Sequence, residues 1–220
     1  MSKDGKPTIG IAWYERKDEE YAPVWQAIEA AGGIPVKLDL VRSGVLDYDK
    51  NNMLKGHTGE DGALILEDAG KVRHSTWNAS NVEQVLAGID AVVFPGGGDM
   101  GPSLFPEPEP VCTDEGFCVE RDVSDYILMS YCLDQDIPIL GICRGMQTLA
   151  VVSGASMIQD LKDHMKSLEK EYDDHHRKEA EGSEGRRDFT FHDVTVTEDD
   201  SILRRLTGVD TICGVPSWHH

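Results

Sequence analysis

Two short stretches hold residue types at spacings that could do chemistry. The first is Gly141-Ile142-Cys143-Arg144-Gly145. The apolar run before it, 137–142, has the length and branched side chains of a buried strand, and residues 144–152 read as the helix that follows. A cysteine with glycines at minus two and plus two, on a strand-to-helix turn, is the thiol form of a nucleophile elbow. Side chains at the glycine positions would collide with the strand and the helix. Such a turn would present the Cys143 sulfur at the carboxyl end of a sheet and at the N-terminus of a helix. Helix N-termini favour a thiolate, the reactive form of the group. Taken alone, the pentapeptide fits a small buried cysteine at least as well. The second stretch is Val92-Val93-Phe94-Pro95-Gly96-Gly97-Gly98-Asp99, an apolar strand running into a triple-glycine loop. Backbone N–H groups in such a loop can point at a developing oxyanion, although most glycine-rich loops are only turns. A thiolate beside an oxyanion site is the equipment of acyl transfer. A base that also protonates the leaving group is the remaining requirement.

Together the two stretches resemble the class I glutamine amidotransferase superfamily, and within it the γ-glutamyl-γ-aminobutyrate hydrolase group, the C26-type cysteine peptidases. The residues that carry the resemblance begin with Pro95-Gly96-Gly97-Gly98-Asp99, Glu120-Arg121-Asp122 and Gly141-Ile142-Cys143-Arg144-Gly145-Met146-Gln147. Gln159-Asp160-Leu161, Phe191-His192-Asp193-Val194 and Ser217-Trp218-His219-His220 follow in the family's order. The resemblance runs from about residue 7 to the last residue. It implies an α/β fold of the flavodoxin-like kind: a mostly parallel central sheet, helices on both faces, and a cysteine nucleophile elbow.

It also implies an activity: hydrolysis of γ-glutamyl amides of small amines through a γ-glutamyl thioester on Cys143, releasing glutamate. The N–H of Arg144 and an N–H from Gly97 or Gly98 would form the oxyanion hole. Gln147, Ser217, His219 and His220 match the family's positions for the glutamyl amino and carboxylate groups. Glu120 and Arg121 match a charged pair that shapes the family's pocket, with a surface ion-paired face as the alternative for each. No metal and no cofactor are expected. The implied partner is a small-molecule γ-glutamyl substrate, and a homodimer is an allowed assembly.

One departure bears on mechanism. The family's catalytic histidine lies in a His-Pro-Glu motif beyond the Ser-x-His-His stretch, and these residues contain no His-Pro-Glu. The expectation is therefore one amidotransferase-like domain over 1–220 that is C-terminally incomplete, or else a short homologue whose sheet lacks its last strands and exposes an edge. His219 or His220 as a substitute base is the weaker alternative. Three other functions stay open: a glutaminase subunit delivering ammonia to a synthetase, a non-catalytic homologue, and a thiol α/β-hydrolase. The last would not explain the glycine loop ahead of the elbow or the Ser-x-His-His stretch after it. No synthetase domain lies in these residues, which favours the hydrolase over the glutaminase.

Composition sets the outer bounds. A chain of 220 residues can bury a full core as one domain. The formal charge of −19 argues against nucleic-acid and anionic membrane partners. Residues 1–6 are polar, and the apolar run 9–14 is too short for a signal sequence. No run has the length of a membrane span. Five cysteines, odd in number and irregularly spaced, suit a reducing cytoplasm better than a disulfide framework. Cys112 and Cys118 have no second pair to complete a metal site.

The elements that must position the two stretches follow from apolar patterning. Strands are expected at 8–13, 34–40 and 89–94, with a helix over 20–31 stopped by Gly32-Gly33, a βαβ start that implies a parallel sheet. Residues 42–78 are long, polar and glycine-rich, and read as an insertion, either a hairpin or small lobe near the site or a surface excursion. Ser80 to Glu83 is a capping-box pattern opening a short helix. A long helix is expected over 120–134, with Val123, Ile127, Leu128 and Tyr131 inward. Residues 162–187, which include Asp173-Asp174-His175-His176, read as a charged loop rather than a metal site. A strand over 189–197, a helix over 201–206 closed by Gly208, and a strand over 211–215 complete the chain.

Overall fold

The computed structural model describes residues 5–13, 21–112, 116–172, 178–179, 187–188, 190–217 and 219. They form two compact units, 1–157 and 158–220.

The first unit is built on four strands: β1 (Thr8–Ile11), β2 (Ile34–Lys37), β3 (Ala91–Phe94) and β4 (Ile139–Gly141). All pair in parallel, in the order β2-β1-β3-β4. Parallel strands need crossovers, and the apolar faces of helices supply them. These are α1 (Ala22–Ala30), α2 (Leu66–Ser75), α3 (Val82–Val85), α4 (Val119–Asp134) and α5 (Arg144–Val152). Successive strand residues point to opposite faces, and β3 shows the consequence. Val93 joins Ile11 and Ile28 of α1 in one cluster. Its neighbours Val92 and Phe94 join Val123, Ile127 and Leu128 of α4 and Val151 of α5 in another. Helices therefore cover both faces, and the α/β class expected from the sequence is what the chain adopts. Among the described residues β4 is an edge strand, and its Leu140 is 58% exposed.

The interval 42–78 is not a surface excursion. Antiparallel bridges Tyr48–Leu54 and Thr58–Leu64 close two tight hairpin-like loops, α2 follows, and Leu46, Leu64, Ala69 and Val72 are buried in the main core. Its polar composition hid this, because the apolar residues are spread between turns rather than gathered in one run. The capping box expected over Ser80 to Glu83 does not form: the N-cap of α3 is Asn81, with no side-chain cap bond, and Ser80 Oγ accepts the Val82 N–H at 3.3 Å as a local turn instead.

The second unit contains α6 (Leu161–Ser167), a two-residue pair β5 (Lys178–Glu179) and β6 (Arg187–Asp188), β7 (Thr190–Thr195), α7 (Ile202–Thr207) and β8 (Thr211–Ser217). β7 and β8 form an antiparallel ribbon, with Thr190 opposite Ser217. Ser201 caps α7 by accepting the Arg204 N–H at 3.1 Å, and Gly208 closes it at φ 68°. The left-handed cap is the reason for glycine there. Asp173-Asp174-His175-His176 lies outside the described residues. No helix among the described residues is long and apolar enough to cross a membrane.

Candidate active site

β4 leads directly into the turn that carries Cys143. The Ile142 N–H continues the sheet by donating to the Phe94 carbonyl at 2.9 Å. Cys143 then adopts φ 51°, ψ −110°, a region that side-chain-bearing residues rarely occupy, and such strain costs on the order of 1–3 kcal/mol. The turn is held by N–H bonds from Gly145 to the Ile142 carbonyl and from Met146 to the Cys143 carbonyl, both 2.9 Å. The flanking glycines are steric requirements. A Cβ on Gly141 would lie 2.7 Å from the Gly145 carbonyl carbon and the Met146 nitrogen. One on Gly145 would overlap the Phe94 carbonyl oxygen and lie 2.7 Å from the Phe94 Cβ.

The result is an exposed thiol at the N-cap of α5. Cys132 is the contrast within the same unit: it is wholly buried in the core, and burial pushes its thiol up to about 12. Gln147 sits one turn after Cys143, where i and i+4 share a helix face, and it is half-buried. Arg144 is the first residue of α5, and the N–H groups of a first helical turn have no acceptor within the helix.

The glycine loop follows β3, the strand next to β4, and so reaches the elbow at the carboxyl ends of the strands. A Cβ on Gly96 would stand 3.2 Å from the Cys143 Cβ, so the loop backbone passes directly against Cys143.

What holds the two stretches in register is a buried ionic cluster, and the sequence reading missed it. The surface ion-paired face considered for Glu120 and Arg121 is overturned: they are 6% and 1% exposed. Arg121 Nη2 donates to the Pro95 carbonyl at 2.8 Å and the Gly96 carbonyl at 3.0 Å. Its Nε donates to Asp125 at 3.3 Å. Arg144 pairs with the same Asp125 oxygen, and with Asp122 at 2.5 Å. The other Asp122 oxygen accepts the Gly101 N–H at 3.0 Å. Burial pushes Asp122 up, opposed by the Arg144 charge and the Gly101 N–H. Burial works against the Arg144 charge, but Asp125 and Asp122 outweigh it and hold the guanidinium protonated. Two arginines and two aspartates thus join α4, the glycine loop and the residue after Cys143. The available signal was position: residues 121, 122 and 125 share turns of α4 with Val119, Val123 and Ile127, which are buried too. A helix buried nearly all round has no solvated face for charge.

Glu120 ties in the interval 42–78 by accepting the Leu54 N–H at 2.8 Å. Ala63 of that interval lies 3.5 Å from a Cβ built on Gly101, so this lobe packs where the glycine loop continues. Within it His57 meets Asp68, Nδ1 to Oδ2, at 2.6 Å. A histidine–carboxylate pair invites reading as a base. However, Nε2 accepts the Asp47 N–H at 3.0 Å, so both ring nitrogens are engaged and the pair is structural.

Ser217 ends β8 and is buried, and His219 is half-buried. Both belong to the second unit, whereas Cys143, Gly97, Gly98, Arg144 and Gln147 belong to the first. His220 lies outside the described residues.

The Peptidase C26 family model matches residues 72–220, and the chain belongs to that family. It is 34% identical over 133 residues to protein NtpR of Enterococcus hirae, covering 60% of this chain and 50% of that protein. It is 31% identical over 128 residues to the γ-glutamyl-γ-aminobutyrate hydrolase PuuD of Escherichia coli (strain K12), covering 57% of this chain and 46% of the hydrolase. The chain spans about half the length of these curated relatives.

Proposed function

We propose that this protein is a cysteine hydrolase of γ-glutamyl amides of small amines. The observation that carries the proposal is the strained, exposed Cys143 with the Gly96 backbone against it. Strain of this kind persists where surrounding structure enforces it and is concentrated at functional sites. The similarity to a γ-glutamyl-γ-aminobutyrate hydrolase supplies the substrate class.

The reaction has two halves. The Cys143 thiolate attacks the γ-carbonyl carbon, a C–S bond forms, and the carbonyl electron pair moves to oxygen. The Arg144 N–H and an N–H of Gly97 or Gly98 take up that oxyanion. Collapse breaks the C–N bond as the protonated base gives its proton to the departing amine, and that base then takes a proton from the attacking water. Water then attacks the γ-glutamyl thioester, expels the thiolate and yields glutamate. Gln147, which shares a helix face with Cys143, is the residue of the first unit proposed to bind the glutamyl group. The base is a residue other than His57, whose nitrogens are already committed.

Intact-mass spectrometry before and after exposure to a γ-glutamyl amide tests the reading. Turnover with a transient adduct on Cys143 is the expected result, and Cys143→Ala is expected to abolish both while keeping the fold. Full activity in Cys143→Ala, or no adduct and no turnover in the unaltered protein, overturns it. An adduct that forms and persists would mean that the nucleophile works and the deacylating base is missing. A marked preference for glutamine over bulkier γ-glutamyl amides would favour a glutaminase instead.

A further inference from the structure

We infer that Arg121 is a positioning residue for the oxyanion hole, and that the hole's loop donor is the N–H of Gly97. The inference rests on the hydrolase reading and deepens it. Arg121 is 1% exposed and donates through one nitrogen to the carbonyls of both Pro95 and Gly96. In a trans peptide the carbonyl and the following N–H lie on opposite edges of one plane. Drawing the Gly96 carbonyl toward Arg121 therefore turns the Gly97 N–H the other way, out of the α4 side of the loop. The position of a Cβ on Gly96, 3.2 Å from the Cys143 Cβ, shows that the same peptide borders the nucleophile. The Gly96 carbonyl bond thus selects Gly97 over Gly98.

The second half of the argument is rigidity. Arg121 and Arg144 share one oxygen of Asp125. The loop donor and the donor next to the nucleophile are therefore fixed to the same carboxylate, itself wholly buried. An oxyanion hole gains its effect from donors that need no reorganisation when charge develops. A shared buried anchor supplies that. Arg121 touches no reacting atom in this arrangement and acts only through the Gly96–Gly97 peptide.

The test separates chemistry that needs an oxyanion hole from chemistry that does not. Arg121→Lys and Arg121→Gln would be made in the full chain. Acylation of Cys143 by a γ-glutamyl anilide forms an oxyanion, whereas its alkylation by iodoacetamide requires only the thiolate. Acylation is expected to slow by about 100-fold with KM changed by less than about threefold, while alkylation stays close to that of the unaltered protein. Unchanged acylation, or equal slowing of both reactions, overturns the positioning role and leaves the hydrolase reading standing. Absence of both an acyl adduct and turnover in the unaltered protein overturns the hydrolase reading and this inference with it. If neither variant folds, amide hydrogen exchange in the unaltered protein decides: Gly97 is expected to gain protection in the acyl-enzyme, and protection at Gly98 alone overturns the assignment.

Discussion

The first unit contains two buried carboxylate clusters, and they differ in what they connect. Asp122 and Asp125, with Arg121 and Arg144, tie α4 to the glycine loop and to the elbow helix, elements far apart in sequence. Asp68, with His57 and Lys71, joins residues within one lobe, and Lys71 reaches solvent. A charge pair sealed from water must have every partner in place, because removing one leaves an uncompensated charge. A pair with one member in water can be solvated when its partner is lost, and contributes little. The first cluster can therefore set the geometry of a site, whereas the second only fastens a lobe to itself.

Four substitutions test that contrast. Asp125→Ala strips both arginines of a buried partner and is expected to cost roughly 3–5 kcal/mol of stability by urea unfolding. An effect near zero would mean that the cluster does not hold the site. Gly145→Ala tests the neighbouring steric constraint. It is expected to cost about 1–3 kcal/mol and to abolish acylation of Cys143 in the mass assay, because the added methyl overlaps the β3 backbone.

Asp68→Asn should destabilise less and act locally, with faster amide exchange confined to 42–78. Its pH behaviour adds a sign. Burial raises the Asp68 carboxyl, but bonds from Lys71 and His57 more than offset this and hold it below the usual range. A carboxylate lowered on folding contributes stability above its unfolded value of roughly 4, and that contribution is lost as pH falls through the folded value. Acid unfolding below about pH 4 should therefore lose its dependence on this group in Asp68→Asn. Lys71→Ala should change least, with an unfolding midpoint close to that of the unaltered protein. A large shift there would erase the contrast between the two clusters.

The residues at the elbow were legible in sequence for a local reason. G-x-C-x-G requires glycine where the turn admits no Cβ: Gly141 meets the Gly145–Met146 backbone of the turn itself, and Gly145 adds a contact with Phe94 of β3. The parallel core was legible as well, because strand–helix alternation with apolar runs leaves few other arrangements. The interval 42–78 was harder to read. Its buried residues are separated by turns, so periodicity gave no signal, and pairing between Tyr48–Leu54 and Thr58–Leu64 had to be seen. The surface alternative for Glu120 and Arg121 failed for a related reason. A charged residue on a helix defaults to solvent, and only the packing of α4 on several sides reverses that.

By itself the sequence determined the class of fold, the nucleophile candidate, the glycine loop and the family motifs. Each of these rests on short-range constraints: side-chain volume at a turn, alternation along a strand, backbone freedom in a loop. Tertiary structure alone decided which carbonyls Arg121 binds, that Asp125 serves both arginines, and that the His57–Asp68 pair is structural. Those outcomes depend on which distant segments meet and on how completely water is excluded between them.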